Sequence, residues 1–362
     1  MKKTLVALAV LSAAAVSAQA ASVTLYGAVD GGFKYTYSKT TGADKTSSFV
    51  LDEGLAGSNK FGLKGEEDLG NGYAVGFKLE NGFSLATGAL QGALFNREAQ
   101  LYVKGAFGTV AAGHIGALGS SAGSYDMFFG NGDAFDGGDK LGTGFYLTKR
   151  YDNTVTYVTP ELGGFTGYAQ YSFSQEGDQL SPANKNARFY ALGGTFAYDN
   201  FAVAALFQQE VPATQKLKTP ADPANPYEHV DQKKPTSFGL GANVQLDSVK
   251  LFAAAQYAKH VTTVDNTLDA KYKDGTNVAG TLGATYTAGA NEVTAAGYLG
   301  QVKDKGTEGK PKTSYFSLNA RYTYNLSDRT SLFVGADGSR AKVKGGDKTT
   351  KFVVYSGLHH NF

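Results

Sequence analysis

The sequence predicts an all-β chain of about sixteen antiparallel strands closed into a transmembrane β-barrel. Three observations carry that prediction. Most segments alternate apolar and polar residues with a period of two, which sends successive side chains to opposite faces of a sheet. The connections between segments alternate between short polar turns and long polar loops, the rhythm of a meander crossing a membrane. The composition is rich in turn and strand residues, with 47 Gly, 22 Tyr and 23 Phe against 8 Pro, 2 Met and no Trp.

The chain opens on MKKTLVALAVLSAAAVSAQA, in which Lys2 and Lys3 precede an apolar run from Leu5 to Val16 and then Ala18-Gln19-Ala20. This pattern reads as a secretory signal peptide, residues 1–20, cleaved after Ala20, with the barrel domain at 21–362. The apolar run falls well short of the roughly 20 residues that a spanning helix needs. No cysteine is present, so the exported chain does without disulfides. Loss of Lys2 and Lys3 with the leader leaves 32 basic residues against 32 acidic ones. Neither nucleic acid nor a disordered acidic tail is implied by that balance.

The strand-like segments run in order from SVTLYGAVDGGFKYTY (22–37) through NKFGLKGEEDL, YAVGFKLENGF, FNREAQLYVKG, GTVAAGHIG and RYDNTVTYVTP. They continue through GFTGYAQYSFSQ, RFYALGGTFAY, NFAVAALFQQE, SFGLGANVQL and SVKLFAAAQYAK to KFVVYSGLHHNF at the end. In SFGLGANVQL one face carries Phe238, Leu240, Ala242, Val244 and Leu246, and the other Ser237, Gly239, Gly241, Asn243 and Gln245. In TSYFSLNARYTYN the apolar set is Phe316, Leu318, Ala320, Tyr322 and Tyr324, opposed by Ser317, Asn319, Arg321 and Thr323. Short turns are expected at 69–72, 199–200, 247–248 and 326–328, and long loops at 38–58, 116–149, 211–236 and 261–275.

A soluble sandwich would bury its apolar face against a second sheet. Here the polar face is small and hydroxylated, and the apolar face carries aromatics near the short turns: Tyr73, Tyr157, Phe165, Tyr198, Phe201, Tyr286 and Tyr324. That is the placement of an interfacial belt. In lipid every backbone N–H and C=O must find a partner, so a sheet spans only if its last strand pairs with its first. Phe352, Val354, Leu358, His360 and Phe362 then share the outward face, with Phe362 at the interface.

The stretches SVTLYGAVDGGF, NKFGLKGEEDLGNGYAVGFKLENGF, FNREAQLYVKGAFGTVAAGH, RYDNTVTYVTPELGGFTGYAQYSF and GLHHNF, in that order, resemble the general-diffusion porins of β-proteobacterial and neisserial outer membranes. The resemblance covers essentially the whole chain. It implies a 16-stranded antiparallel transmembrane β-barrel, a homotrimer, and a third long loop folded into the lumen, here about 116–149. It implies a passive, water-filled channel for ions and small hydrophilic solutes, seated among outer-membrane lipids and lipopolysaccharide. It also implies that the barrel assembly machinery reads the terminal Phe362, together with Leu358 and His360. Where the family has Ser-Arg before FGLKG, this chain has Asn59-Lys60, which keeps the charge and loses the planar fork of Arg.

A pore needs a narrow wet section whose charges sort solutes. The loop offers Asp126, Asp133, Asp136 and Asp139 against Lys140 and Lys149. The resemblance places Lys60, Arg97 and Arg150 on the facing wall. Strand phase supports Arg150, on one face with Asp152, Thr154 and Thr156, and Lys60, on one face with Lys64 and Glu66. Arg97 shares parity with Ala99, Leu101 and Val103, so either a bulge intervenes or the lumen face there is locally apolar.

No enzyme, metal or cofactor is expected. None of the five histidines lies beside a Ser and a carboxylate in a nucleophile elbow. DAFDGGD (133–139) lacks a calcium-loop pattern, and GTEGKPKT (306–313) lacks phosphate-loop spacing. The alternative within the channel class is a substrate-specific channel for anionic small molecules, which would need a track of arginines or aromatics. The expected lumen face is instead rich in Gly, Ala, Ser, Thr and Asn.

Overall fold

A computed structural model describes residues 23–129, 145, 149–175, 186–217, 227–229, 232–263 and 271–362. The expected leader, residues 1–20, lies outside them. The first strands are β1 (Thr24–Thr40), β2 (Thr46–Glu53), β3 (Lys60–Gly70), β4 (Tyr73–Gly82), β5 (Glu98–Gly105) and β6 (Gly108–Gly116). Then come β7 (Arg150–Val158), β8 (Phe165–Ser172), β9 (Arg188–Tyr198), β10 (Phe201–Val211) and a small hairpin of β11 (Gln215–Leu217) and β12 (Tyr227–His229). The last are β13 (Thr236–Leu246), β14 (Val249–Thr263), β15 (Lys271–Ala288), β16 (Asn291–Asp304), β17 (Lys312–Asn325), β18 (Thr330–Val343) and β19 (Lys348–Asn361).

Every strand except the β11–β12 hairpin joins one antiparallel sheet that closes on itself. The seam is β1 against β19, from Ala28↔Asn361 to Thr40↔Thr349. On its other edge β1 pairs first with β2, Gly31↔Glu53 to Ser38↔Thr46, and further down with β3, Ala28↔Lys60 to Thr24↔Lys64. Strands β2 and β3 are therefore two lengths of one barrel position, interrupted at 54–59, and the barrel has sixteen positions. The sequence places a long loop at 38–58. Thr46–Glu53 is strand instead, because it extends the ladder on β1, and only 41–45 and 54–58 leave the sheet. Of the loop expected at 261–275, 261–263 belong to β14 and 271–275 to β15, and 264–270 lie outside the described residues.

The two faces follow the alternation. Leu240 is 62% exposed and Leu282 70%, whereas Ser237 is 1% exposed and Asn319 3%. An apolar exterior this extensive would be an association hazard in water and is the natural surface in lipid. All seven belt aromatics named above are exposed near the short turns. The turns themselves use residues that tolerate positive φ at little cost: Asp199 (50°) and Asp247 (48°) begin two-residue connections.

Candidate pore constriction

Just beyond β6, residues of the stretch 117–129 pack against the inner wall. Ala117, Leu118, Met127 and Phe128 are buried in one cluster with Tyr151, Phe189, Ala191, Ala204 and Leu206. The wall members of this cluster belong to the inward faces of β7, β9 and β10. Glycines make the docking possible. A Cβ at Gly193 would sit 2.6 Å from the Met127 methyl, and one at Gly239 would collide with the Phe128 ring. Phe145 packs on the inward-facing Ala254 and Ala279 of β14 and β15. Residues 130–144 and 146–148 lie outside the described residues, and with them Asp133, Asp136, Asp139 and Lys140.

The opposite side of this segment is tied to β4 and β5. Glu98, fully buried, accepts hydrogen bonds from the Ser124 backbone N–H (2.9 Å), the Ser124 hydroxyl and the Gly116 N–H (3.4 Å). The Tyr125 hydroxyl donates to Gln100 Oε1 (2.9 Å), and burial beside the Glu98 charge raises the phenol's pKa. Lys78 Nζ reaches both Ser124 Oγ (3.0 Å) and Glu98 (2.7 Å). Asp126 turns back on its own segment, accepting from the Phe128 N–H (2.9 Å).

The inward face of β3 and β4 carries a ladder of charge. Lys64 and Lys78 stand directly opposite in the β3–β4 register, a pairing that costs stability on its own. Two carboxylates offset it: Glu98 at 2.7 Å and Glu80 at 3.7 Å from Lys78. Glu80, 2% exposed, also accepts from Arg97 Nε (2.6 Å) and the Tyr26 hydroxyl (3.0 Å), with Lys60 at 4.0 Å. Lys64 Nζ lies 5.3 Å from the centre of the Tyr26 ring. The basic side chains of this wall (Lys60, Lys64, Lys78, Arg97 and Lys104) outnumber Glu66, Asp68, Glu80 and Glu98 by one.

Lys60 shares the inward face of β3 with Lys64 and Glu66, and Lys60 and Arg97 converge on one carboxylate. For Arg97 neither of the two explanations offered by alternation applies. The residue precedes β5, so the pleat does not direct it, and the inward face of that strand is Glu98, Gln100, Tyr102 and Lys104 rather than an apolar run. Its charge is committed to Glu80. Arg150 departs from its expected phase. Asp152 and Asn153 together oppose His114, a bulge with Asn153 at φ 50°, and this flips the parity. Tyr151, not Arg150, therefore shares the inward face with Thr154 and Thr156; Arg150 reaches the Ala122 carbonyl (3.3 Å). Lys78, Glu80 and Glu98 were not singled out by the sequence. The strand phase of FKLEN marked the first two, but only the Glu80↔Glu98 register brings the carboxylates side by side.

At the seam the Phe362 N–H donates to the Gly27 carbonyl (3.0 Å) and the Gly27 N–H to Phe362 O (3.1 Å). Leu358 and Phe362 are exposed outward, and His360 Nδ1 lies 2.9 Å from Thr330 Oγ1.

A closed barrel with an apolar exterior and a charged interior is a membrane channel. The model of the Gram-negative porin family matches residues 7–343, and the chain belongs to that family: it is an outer-membrane porin. Among its relatives, an outer membrane porin of Bordetella pertussis is 31% identical over 94% of both chains. Outer membrane porin protein 32 of Delftia acidovorans is 29% identical over 99% of this chain and 94% of its own. Solved structures share the fold. The anion-selective porin of Comamonas acidovorans superposes with a TM-score of 0.64 at 22% identity, covering 94% of this chain and 99% of that one. A trimer form of OmpT from Vibrio cholerae does so at 0.59 and 16% identity, covering 94% and 99%.

Proposed function

We propose that the protein passes ions and small hydrophilic solutes by passive diffusion, with a preference for anions. Its narrow section is formed by the segment at about 116–149 against the wall of Lys60, Lys64 and Lys78. The observation that supports this reading is that Met127 and Phe128 dock on the inward glycines of β9 and β13 while Ser124 of the same stretch bonds Glu98 and Lys78 on the lysine side. Arg97 acts chiefly by holding Glu80. Arg150 steadies the segment through Ala122, and Asp126, Asp133, Asp136 and Asp139 supply the opposing negative charge. The basic excess on the wall supports anion preference, and the Comamonas acidovorans porin of similar fold is described as anion-selective.

The working unit is a homotrimer in outer-membrane lipid and lipopolysaccharide. An apolar cavity of about 650 Å³ on the outer face at the seam, lined by Val29, Phe33, Leu51, Leu85, Leu332 and Leu358, supports self-association there. The terminal Phe362, with His360 and Leu358, is the mark read by the assembly machinery. Protein added to a planar bilayer tests the whole reading: conductance steps grouped in threes and a reversal potential on the anion side are expected. Silence, or cation preference, would overturn it.

A further inference from the structure

A second segment also enters the lumen, at a place unrelated to the third long loop. Between β2 and β3 the chain leaves the wall for residues 54–59 and returns to the same barrel position. Leu55 is buried against Phe333, Val353 and Tyr355, all on the inward faces of β18 and β19. Gly57 lies against the ring of His359, and a Cβ there would be 2.7 Å from Cε1. Arg321 on β17 donates to the Ala56 carbonyl (3.4 Å). The excursion therefore covers the inner wall from β1 to β17.

One side chain supplies its main polar anchor. Asp30, on the inward face of β1 and fully buried, accepts from the consecutive N–H groups of Leu55 and Ala56, the latter at 3.2 Å to Oδ2. Two successive backbone donors around a carboxylate form an anion nest, and such charge-assisted bonds are the strong ones. The Gly54 N–H donates to the Asp30 carbonyl (3.4 Å), and the Asn59 side chain accepts from the Asp30 N–H while donating to Glu53 (3.2 Å). His359 Nδ1 lies 3.1 Å from Asp30 Oδ2. The segment GLAGSN carries no charge of its own, and only Ala56, Ser58 and Gly54 keep partial exposure.

We infer that residues 54–59 are a second narrowing element of the pore, one that limits cross-section without sorting charge, and that Asp30 is the residue that positions it. The inference rests on the channel reading above. A structural brace with no place in the current path would have the same hydrogen bonds, so the test must read the current.

The chain lacks cysteine, so Ala56→Cys introduces a unique thiol. In planar bilayers, a neutral benzyl methanethiosulfonate adduct on A56C is expected to lower each step by about a fifth or more, with the reversal potential unchanged and the step restored by dithiothreitol. Asp30→Asn, confirmed as a heat-resistant barrel by gel mobility, is expected to raise the step at least about 1.3-fold as the segment leaves its nest. A thiol that does not react, an adduct verified by mass that leaves the step unchanged, or a folded D30N with the unaltered step would overturn the inference. Should D30N not fold, the A56C arm decides alone. Steps from the unmodified protein with no response in A56C sink only this inference, whereas no steps from the unmodified protein sink the channel reading.

Discussion

Replacing Lys78 with methionine removes one positive charge from the inner wall while keeping most of the apolar stem. Glu98 loses its 2.7 Å partner but keeps the Ser124 and Gly116 donors, so the inward segment stays docked. A unit charge roughly 7 Å from a permeating ion acts on it with about 0.6 kcal/mol in a medium as polarisable as water. Screening over a Debye length of about 10 Å at 0.1 M salt halves that figure, roughly. Chloride loses and potassium gains by the same energy, so the ratio of their permeabilities falls about threefold. Glu98→Gln removes a negative charge from the same place and moves the ratio upward by a similar factor. Reversal potentials in a potassium chloride gradient measure both. A ratio that does not move, or that moves the same way in the two variants, would refute the placement of these charges beside the ion path.

Three more outcomes follow from the geometry. Phe128→Ala empties a site walled by Gly239 and Gly241, weakening the segment's docking by about 3–5 kcal/mol, and single-channel records should show larger, noisier steps from a barrel of unchanged heat resistance. Leu240→Arg puts a charge on the lipid face and should cost about 2–4 kcal/mol in urea unfolding from vesicles, against little change for Asn243→Lys on the inward face. Arg97→Met removes the 2.6 Å partner of the buried Glu80, which keeps the Tyr26 hydroxyl, Lys78 and Lys60, and should destabilise the folded barrel by about 1.5–3 kcal/mol in the same assay, while reversal potentials shift less than in the Lys78 variant.

Several details of the interior were beyond a linear reading, each for a physical reason. Strand phase placed Phe238 and Leu240 outward and Ser237 and Asn319 inward correctly, because side-chain alternation is a local property of the pleat. It failed at Arg150, where one extra residue at Asn153 reversed the faces. It did not apply to Arg97, which precedes its strand. It missed Thr46–Glu53, whose pairing depends on a partner strand running further than its own pattern required. Gly239 and Gly241 read as small polar-face residues in the sequence, and only their contact with Phe128 gives them a purpose.

Alternation, turn rhythm and belt aromatics determined by themselves that this chain is a lipid-facing barrel, since each is written in neighbouring residues. Which charges meet inside it was decided by register: Lys64 with Lys78, and Glu80 with Glu98. Strands bring together residues far apart in the chain, and a shift of one position would turn every one of those side chains to the oil.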